Sequence, residues 1–183
     1  MAVSYMGSAM NRLELGSGVN PDPKYNLHLD IDPTVNPDIV SDARSIPLGD
    51  NSIEAIKAVD VLEHISYRDT LDTLKEWNRV LKRRGELYVQ VPEAGIAINR
   101  FVNSQLNSVD GLDDIDIVKL AWVLLGGHYD NCYVKEKENW RFNAHYALFT
   151  QDSLKFYLKQ AGFRVTKMIV NDHPNILCWA RKI

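Results

Sequence analysis

Arg12-Leu13-Glu14-Leu15-Gly16-Ser17-Gly18-Val19-Asn20 is the stretch that decides the fold. Leu13 and Leu15 alternate with Arg12 and Glu14, the period of two expected of a strand with one apolar face. The run stops at Gly16. Glycine tolerates positive φ and lets another molecule approach the backbone with no Cβ in the way. A strand ending in such a loop, at the carboxyl edge of a parallel sheet, is where doubly wound folds bind their ligands.

Outward from this loop the chain alternates strand and helix patterns. Residues 27–30 form a second apolar run ending in Asp30, and 38–41 a short third strand ending at Asp42. Gly49-Asp50-Asn51-Ser52 reads as a turn before a fourth strand over 53–59. Leu71, Leu74, Trp77, Val80 and Leu81 recur at helical spacing, which predicts an amphipathic helix over 68–83 stopped by Gly85. A fifth strand follows over 86–91. Residues 96–106 and 113–125 read as helices, Gly126 and Gly127 end the second, and a polar, aromatic stretch runs to Phe149. A helix over 152–160, opened by Thr150 or Gln151, precedes two strands over 163–170 and 176–183 that suit an antiparallel hairpin. The expected architecture is α/β: a doubly wound, mostly parallel sheet of seven strands with a C-terminal antiparallel hairpin.

The first connection is unusually short. Only residues 17–26 separate the first two strands, and Pro21 and Pro23 interrupt them. Proline removes a donor and biases the preceding residue away from helix. A loop, or at most one turn, is therefore expected where a doubly wound fold has its first helix. This also weighs against a nicotinamide dinucleotide site. Its G-x-G-x-x-G fingerprint would need glycine at Pro21, and a diphosphate wants the helix N-terminus that the prolines disfavour.

Composition sets the outer limits. A chain of 183 residues with 45% hydrophobic and 25% charged residues fits one domain, with an insertion at about 93–150. Connections that long inside a compact domain usually carry function. The net charge of -3 lacks the basic footprint of nucleic-acid binding. The one basic run, Lys82-Arg83-Arg84, is expected to complement a helix C-terminus. Cys132 and Cys178 are far apart and without metal-type spacing, so no metal site or disulfide is expected. No stretch approaches the ~18 apolar residues of a membrane span, and the first ten residues lack signal-peptide features. These features together predict a cytoplasmic protein.

Several pieces of the chain share a pattern. They are Leu13-x-Leu15-Gly16-x-Gly18, Val35-Asn36-Pro37-Asp38-Ile39-Val40-x-Asp42-Ala43, Ile46-Pro47, Asp50-Asn51-Ser52 and Leu62-Glu63-His64. Glu76-Trp77-x-Arg79-Val80-Leu81-Lys82, Val89-x-Val91-Pro92, His145 and Phe149-Thr150 continue it. Over nearly the whole chain this resembles the class I S-adenosylmethionine-dependent methyltransferases. The likeness is closest to a group of small methyltransferases often associated with surface-glycan synthesis. Asn20 stands where the common loop has a third glycine, and the short first crossover is a second departure.

The resemblance implies S-adenosylmethionine as cofactor and supplies roles. Asp30 would accept hydrogen bonds from the two ribose hydroxyls, with Ile31 beside it; Asp32 is the alternative if the register slips. Asp42 and the Ala43 backbone would meet adenine, with Ile46 packing on the ring. Gly16, Ser17 and Gly18 would approach the methionine portion, with Glu14 behind the loop and Asp60 at the end of strand four. The acceptor is expected to be a small molecule or a glycan, methylated at a hydroxyl oxygen. A hydroxyl needs a base, for which histidine is suited. His64, His128 and His145 are candidates, His64 and His145 foremost, with Asp60 and Glu93 behind them. Two alternatives stand beside this: a non-catalytic cofactor-binding interaction module, and N-methylation of a small amine.

Overall fold

The computed structural model describes residues 11–107 and 144–183. Residues 1–10, the helix expected over 113–125, Gly126, Gly127, His128, Cys132 and the aromatic residues Tyr133, Trp140 and Phe142 lie outside the described residues.

Seven strands form one sheet: β1 (Arg12–Leu15), β2 (Leu27–Asp30), β3 (Ile39–Val40), β4 (Ile53–Val59), β5 (Leu81–Pro92), β6 (Phe163–Val170) and β7 (Asn175–Lys182). Their order is β3-β2-β1-β4-β5-β7-β6. The first five run parallel, and β7 is antiparallel to both β5 and β6. The chain winds outward from β1 in one direction and from β4 in the other. The point of reversal lies between β1 and β4, and doubly wound sheets open a ligand crevice at its carboxyl end.

Among the described residues three helices accompany the sheet: α1 (Thr70–Val80), α2 (Ala94–Asn107) and α3 (Gln151–Gln160). Register explains the core. Leu13 stands beside Ile56 and Leu15 beside Ala58, so their side chains share one face, and that face packs with Leu74, Trp77, Leu154 and Leu158. The α3 start is fixed locally, because Thr150 and Ser153 form a reciprocal capping box.

Between β1 and β2 the backbone makes turns and no helix, as the two prolines predict. Polar anchors hold this crossover instead. Glu14, one residue out of phase with Leu13 and Leu15, is only 5% exposed. Its Oε1 pairs with Lys57 Nζ at 2.7 Å, and its Oε2 accepts the Asp22 N–H at 2.7 Å. Lys57 also reaches the Asp22 carboxylate at 3.0 Å, and His28 Nδ1 lies 3.2 Å from Glu14. The loop thus folds onto a half-buried ionic cluster rather than onto an apolar helix stripe.

The expected end of the first long helix needs correction. α1 stops at Val80, because Leu81 is already extended and pairs with Ile53 in the sheet. Lys82-Arg83-Arg84 therefore lies beyond the helix, with Lys82 paired to Glu54. Besides Arg79 in its last turn, the α1 C-terminus takes a cation from β7: Lys182 Nζ donates to the Asn78 and Leu81 carbonyls at 2.6 and 2.8 Å. Gly85 sits inside β5, where a Cβ would come within 2.8 Å of the Lys82 carbonyl oxygen. It permits the register shift near the start of that strand rather than stopping a helix.

Candidate active site

A cavity of about 360 Å³ opens at the carboxyl edge, beside the switch point. Gly16, Asp30, Ile31, Asp42 and Ala43 line it together with Val61, His64 and Tyr146. Its size falls in the range of small-molecule clefts, roughly 300–1,000 Å³. Five of the expected cofactor residues thus come together with one of the two foremost histidines.

Each is held by local structure. Gly16 has φ +63°, and a Cβ there would sit 2.5 Å from Val61 Cγ2. Both backbone and packing therefore require glycine. Asp30 closes β2, and its two oxygens accept the main-chain N–H groups of Gly18 and Asp32 at 2.9 and 3.0 Å. An ionised carboxylate offers about four lone-pair sites, so two remain for a ligand. Asp32, the alternative, caps the short 3₁₀ turn at Pro33–Val35, accepting both the amide and the hydroxyl of Thr34.

Asp42 is held by a partner the sequence reading did not single out. Arg44 Nε lies 3.0 Å from each of its oxygens, and Nη2 lies 2.7 Å from Oδ2. This arginine keeps the Asp42 carboxyl below the usual carboxylate range. Behind the loop stands α1. Trp77 Nε1 donates to the Ala43 carbonyl at 2.9 Å, and Glu76 accepts the Ile46 N–H at 2.8 Å. Arg79 donates to the carbonyls of Ile46 and Leu48 and pairs with Glu76 and Asp50. The Glu76-Trp77-x-Arg79 motif is therefore a clamp on residues 43–50. Its spacing was visible in the sequence; its target was not.

Other expected residues stand outside the cavity lining. Glu14 holds the first crossover as described, and Ser17 is buried with its N–H directed at the Leu29 carbonyl. Gly18 reaches the site through its N–H on Asp30. Asp60 follows β4 in the left-handed region, φ +53°, unusual for a residue with a side chain. Glu93, a candidate base, instead accepts the Ile96 N–H at the start of α2.

The two histidines meet. Leu62–His64 form a 3₁₀ turn after β4, and the Glu63 carbonyl accepts the N–H groups of Tyr146 and Ala147 at 2.7 and 3.1 Å. This docks the 144–149 segment against the strand end and brings the His64 and His145 rings to 4.9 Å, edge to face. His64 Nδ1 lies 3.0 Å from the Ala144 carbonyl oxygen. Burial lowers the His64 pKa and His145 adds to this, while the Ala144 and Asp60 carbonyls oppose it. Glu63 is 1% exposed, with neither carboxylate oxygen in a hydrogen bond to another residue and one of them within 4.8 Å of a ring nitrogen of each histidine. Burial pushes its carboxyl well above the ordinary range; its own main-chain N–H opposes this and the Asp60 charge adds to it.

Among the described residues, no helix is long and apolar enough to cross a membrane. No curated protein matches the chain in sequence. A family model described as a methyltransferase domain matches residues 18–89. Among solved structures, a SAM-dependent methyltransferase from Methanosarcina mazei is 17% identical with a TM-score of 0.57, covering 98% of this chain and 95% of that one. One from Clostridium acetobutylicum is 12% identical with a TM-score of 0.60, over 94% and 83%. A third, from Aquifex aeolicus, is 14% identical with a TM-score of 0.57, over 95% and 82%. The strand order and the C-terminal hairpin agree with these structures, so the chain shares their fold, and residues 18–89 match the methyltransferase domain model.

Proposed function

We propose that the chain transfers a methyl group to a hydroxyl oxygen of a small-molecule or glycan-type acceptor bound at the carboxyl edge. The observation that carries this is the cavity joining Gly16, Asp30, Ile31, Asp42 and Ala43 to His64 and Tyr146. The residues fit S-adenosylmethionine. Asp30 keeps lone pairs for the ribose hydroxyls, and Gly16 lines the same cavity on the side we assign to the methionine portion. Asp42, shared with Arg44, and the Ala43 backbone face the adenine; Gly18 and Ser17 shape the loop, with Ile31, Glu14 and Asp60 around it.

When bound, the cofactor supplies an activated methyl on a sulfonium. The protein's work is then alignment and exclusion of water. The 144–149 segment, pinned to Glu63, closes one side of the cavity with Tyr146. A hydroxyl acceptor loses its proton as the methyl arrives, and His64 and His145 are the groups we assign to that side of the reaction. A cytoplasmic location accords with this chemistry.

Incubation with methyl-labelled cofactor and a panel of sugars, nucleotide sugars and small amines tests the proposal. Label in an ether linkage supports it. Label on nitrogen favours the amine alternative, and tight cofactor binding without any transfer favours the interaction module.

A further inference from the structure

We propose that Glu63, His64 and His145 form a binding site for a divalent first-row transition-metal cation. One coordinating atom from each lies within 4.8 Å of the others. Around an ion with bonds of roughly 2.0–2.2 Å, ligand atoms stand about 3.4 Å apart. Small side-chain rotations close that difference. The two imidazoles and one carboxylate form a donor set suited to Zn²⁺, Mn²⁺, Fe²⁺ or Co²⁺, whereas Mg²⁺ and Ca²⁺ prefer oxygen ligands alone.

Glu63 is the independent observation. A carboxylate 1% exposed, with both oxygens unpartnered, is costly to keep unless something completes it. It does not face the apolar core: its coordinating oxygen is in reach of two imidazole nitrogens. A cation there would supply the missing partner for the carboxylate. His64 carries the second-sphere contact that metal-bound histidines use, since its Nδ1 lies 3.0 Å from the Ala144 carbonyl oxygen. The Asp60 carboxylate, near enough to act on both Glu63 and His145, adds negative potential to the site.

The consequence, though not the binding itself, rests on the methyl-transfer proposal above. His64 lines the cofactor cavity, so a cation held by its ring faces the acceptor. It would orient a hydroxyl oxygen and make its proton more acidic. The two imidazoles would then act as ligands, and the proton would be loosened by the ion rather than taken by a ring.

Co²⁺ is the probe, because its visible absorption reports the ligand set directly. The full chain is used with Cys132→Ser, so that this thiol contributes nothing. Absorption bands and saturable binding at one ion per chain are expected, weakened at least about 100-fold in Glu63→Gln and in His145→Ala. Bands equally strong in both variants, or no saturable binding in the parent protein, would overturn the site. Glu63→Gln nearly preserves shape; should it still fail to fold, His145→Ala, on a segment outside the sheet, decides the matter. A thermal shift with S-adenosylhomocysteine on the same proteins separates the two proposals. Cofactor binding without a Co²⁺ site overturns the cation alone; a Co²⁺ site without cofactor binding upholds the cation and overturns the methyl-transfer proposal.

Discussion

The indole N–H of Trp77, on a fully buried side chain in α1, donates to the main-chain carbonyl of Ala43 at 2.9 Å. A core side chain thereby fixes the height of the loop assigned to adenine. Trp77→Phe keeps an aromatic ring in the core but leaves that carbonyl without its donor. That acceptor is partly buried, and a hydrogen bond of this kind contributes about 0.5–1.5 kcal/mol. The variant should melt earlier by a corresponding amount and bind S-adenosylhomocysteine more weakly. Thermal denaturation with and without ligand reads both. Lower stability with unchanged ligand affinity would show that the loop holds its shape without the tryptophan.

Gly16 combines two constraints, and a pair of variants separates them. Gly16→Ala places a methyl 2.5 Å from Val61 Cγ2 on a backbone at φ +63°. It should destabilise the fold and weaken cofactor binding. Adding Val61→Ala removes the clash but not the backbone strain, which is worth about 1–2 kcal/mol. Partial recovery is therefore expected in the double variant, measured by chemical denaturation. Full recovery would mean that the left-handed backbone carries no cost.

Most of the frame was legible because its signals are local. The strand alternation at Leu13 and Leu15, the prolines at 21 and 23 and the helix start at Thr150 or Gln151 each act within a few residues. The candidate cofactor residues came from the family resemblance, and the sheet brings five of them to one cavity. Long-range partners were not. Nothing in the sequence ties Lys182 to the end of α1, Arg79 to the Ile46 and Leu48 carbonyls, or Glu14 to Lys57. The Glu63 cluster was missed for the same reason. Glu63 and His145 are far apart in sequence, and only the docking of the 144–149 segment on the Glu63 carbonyl joins them.

The Asp42–Arg44 pair predicts a pH dependence. Arg44 lowers the Asp42 pKa from 3.8, so the folded state favours the ionised carboxylate. Its contribution is present above the unfolded value and is lost as pH falls through the folded one. The stability gap between wild type and Asp42→Asn should hold from pH 7 to about 4 and shrink below 3.8. Urea titrations across that range read it. A gap that grows on acidification would contradict the assignment.

Cys178 should be chemically silent. It is 1% exposed on β7, and burial pushes its thiol up to about 12. The thiolate is the reactive form, so the native protein at pH 8 should resist N-ethylmaleimide at this position. Peptide mapping should find Cys178 labelled only after unfolding. Rapid native labelling would show that the β5–β7 region opens far more readily than its packing implies.

The central claim is that Asp30 and the glycine loop bind S-adenosylmethionine at the carboxyl edge of β1 and β2. Titration calorimetry with S-adenosylhomocysteine and with NAD, on the wild type and on Asp30→Asn, tests it most directly. Asparagine keeps one acceptor for the Gly18 or Asp32 amide but loses the charge that favours two ribose hydroxyls. Hydrogen bonds to a charged group contribute about 1.5–3 kcal/mol each, and 1.4 kcal/mol is roughly tenfold in affinity. The account predicts S-adenosylhomocysteine binding by the wild type, weakening of at least about tenfold in Asp30→Asn, and no heat with NAD. Heat with NAD alone, or equal S-adenosylhomocysteine affinity in both proteins, would contradict it.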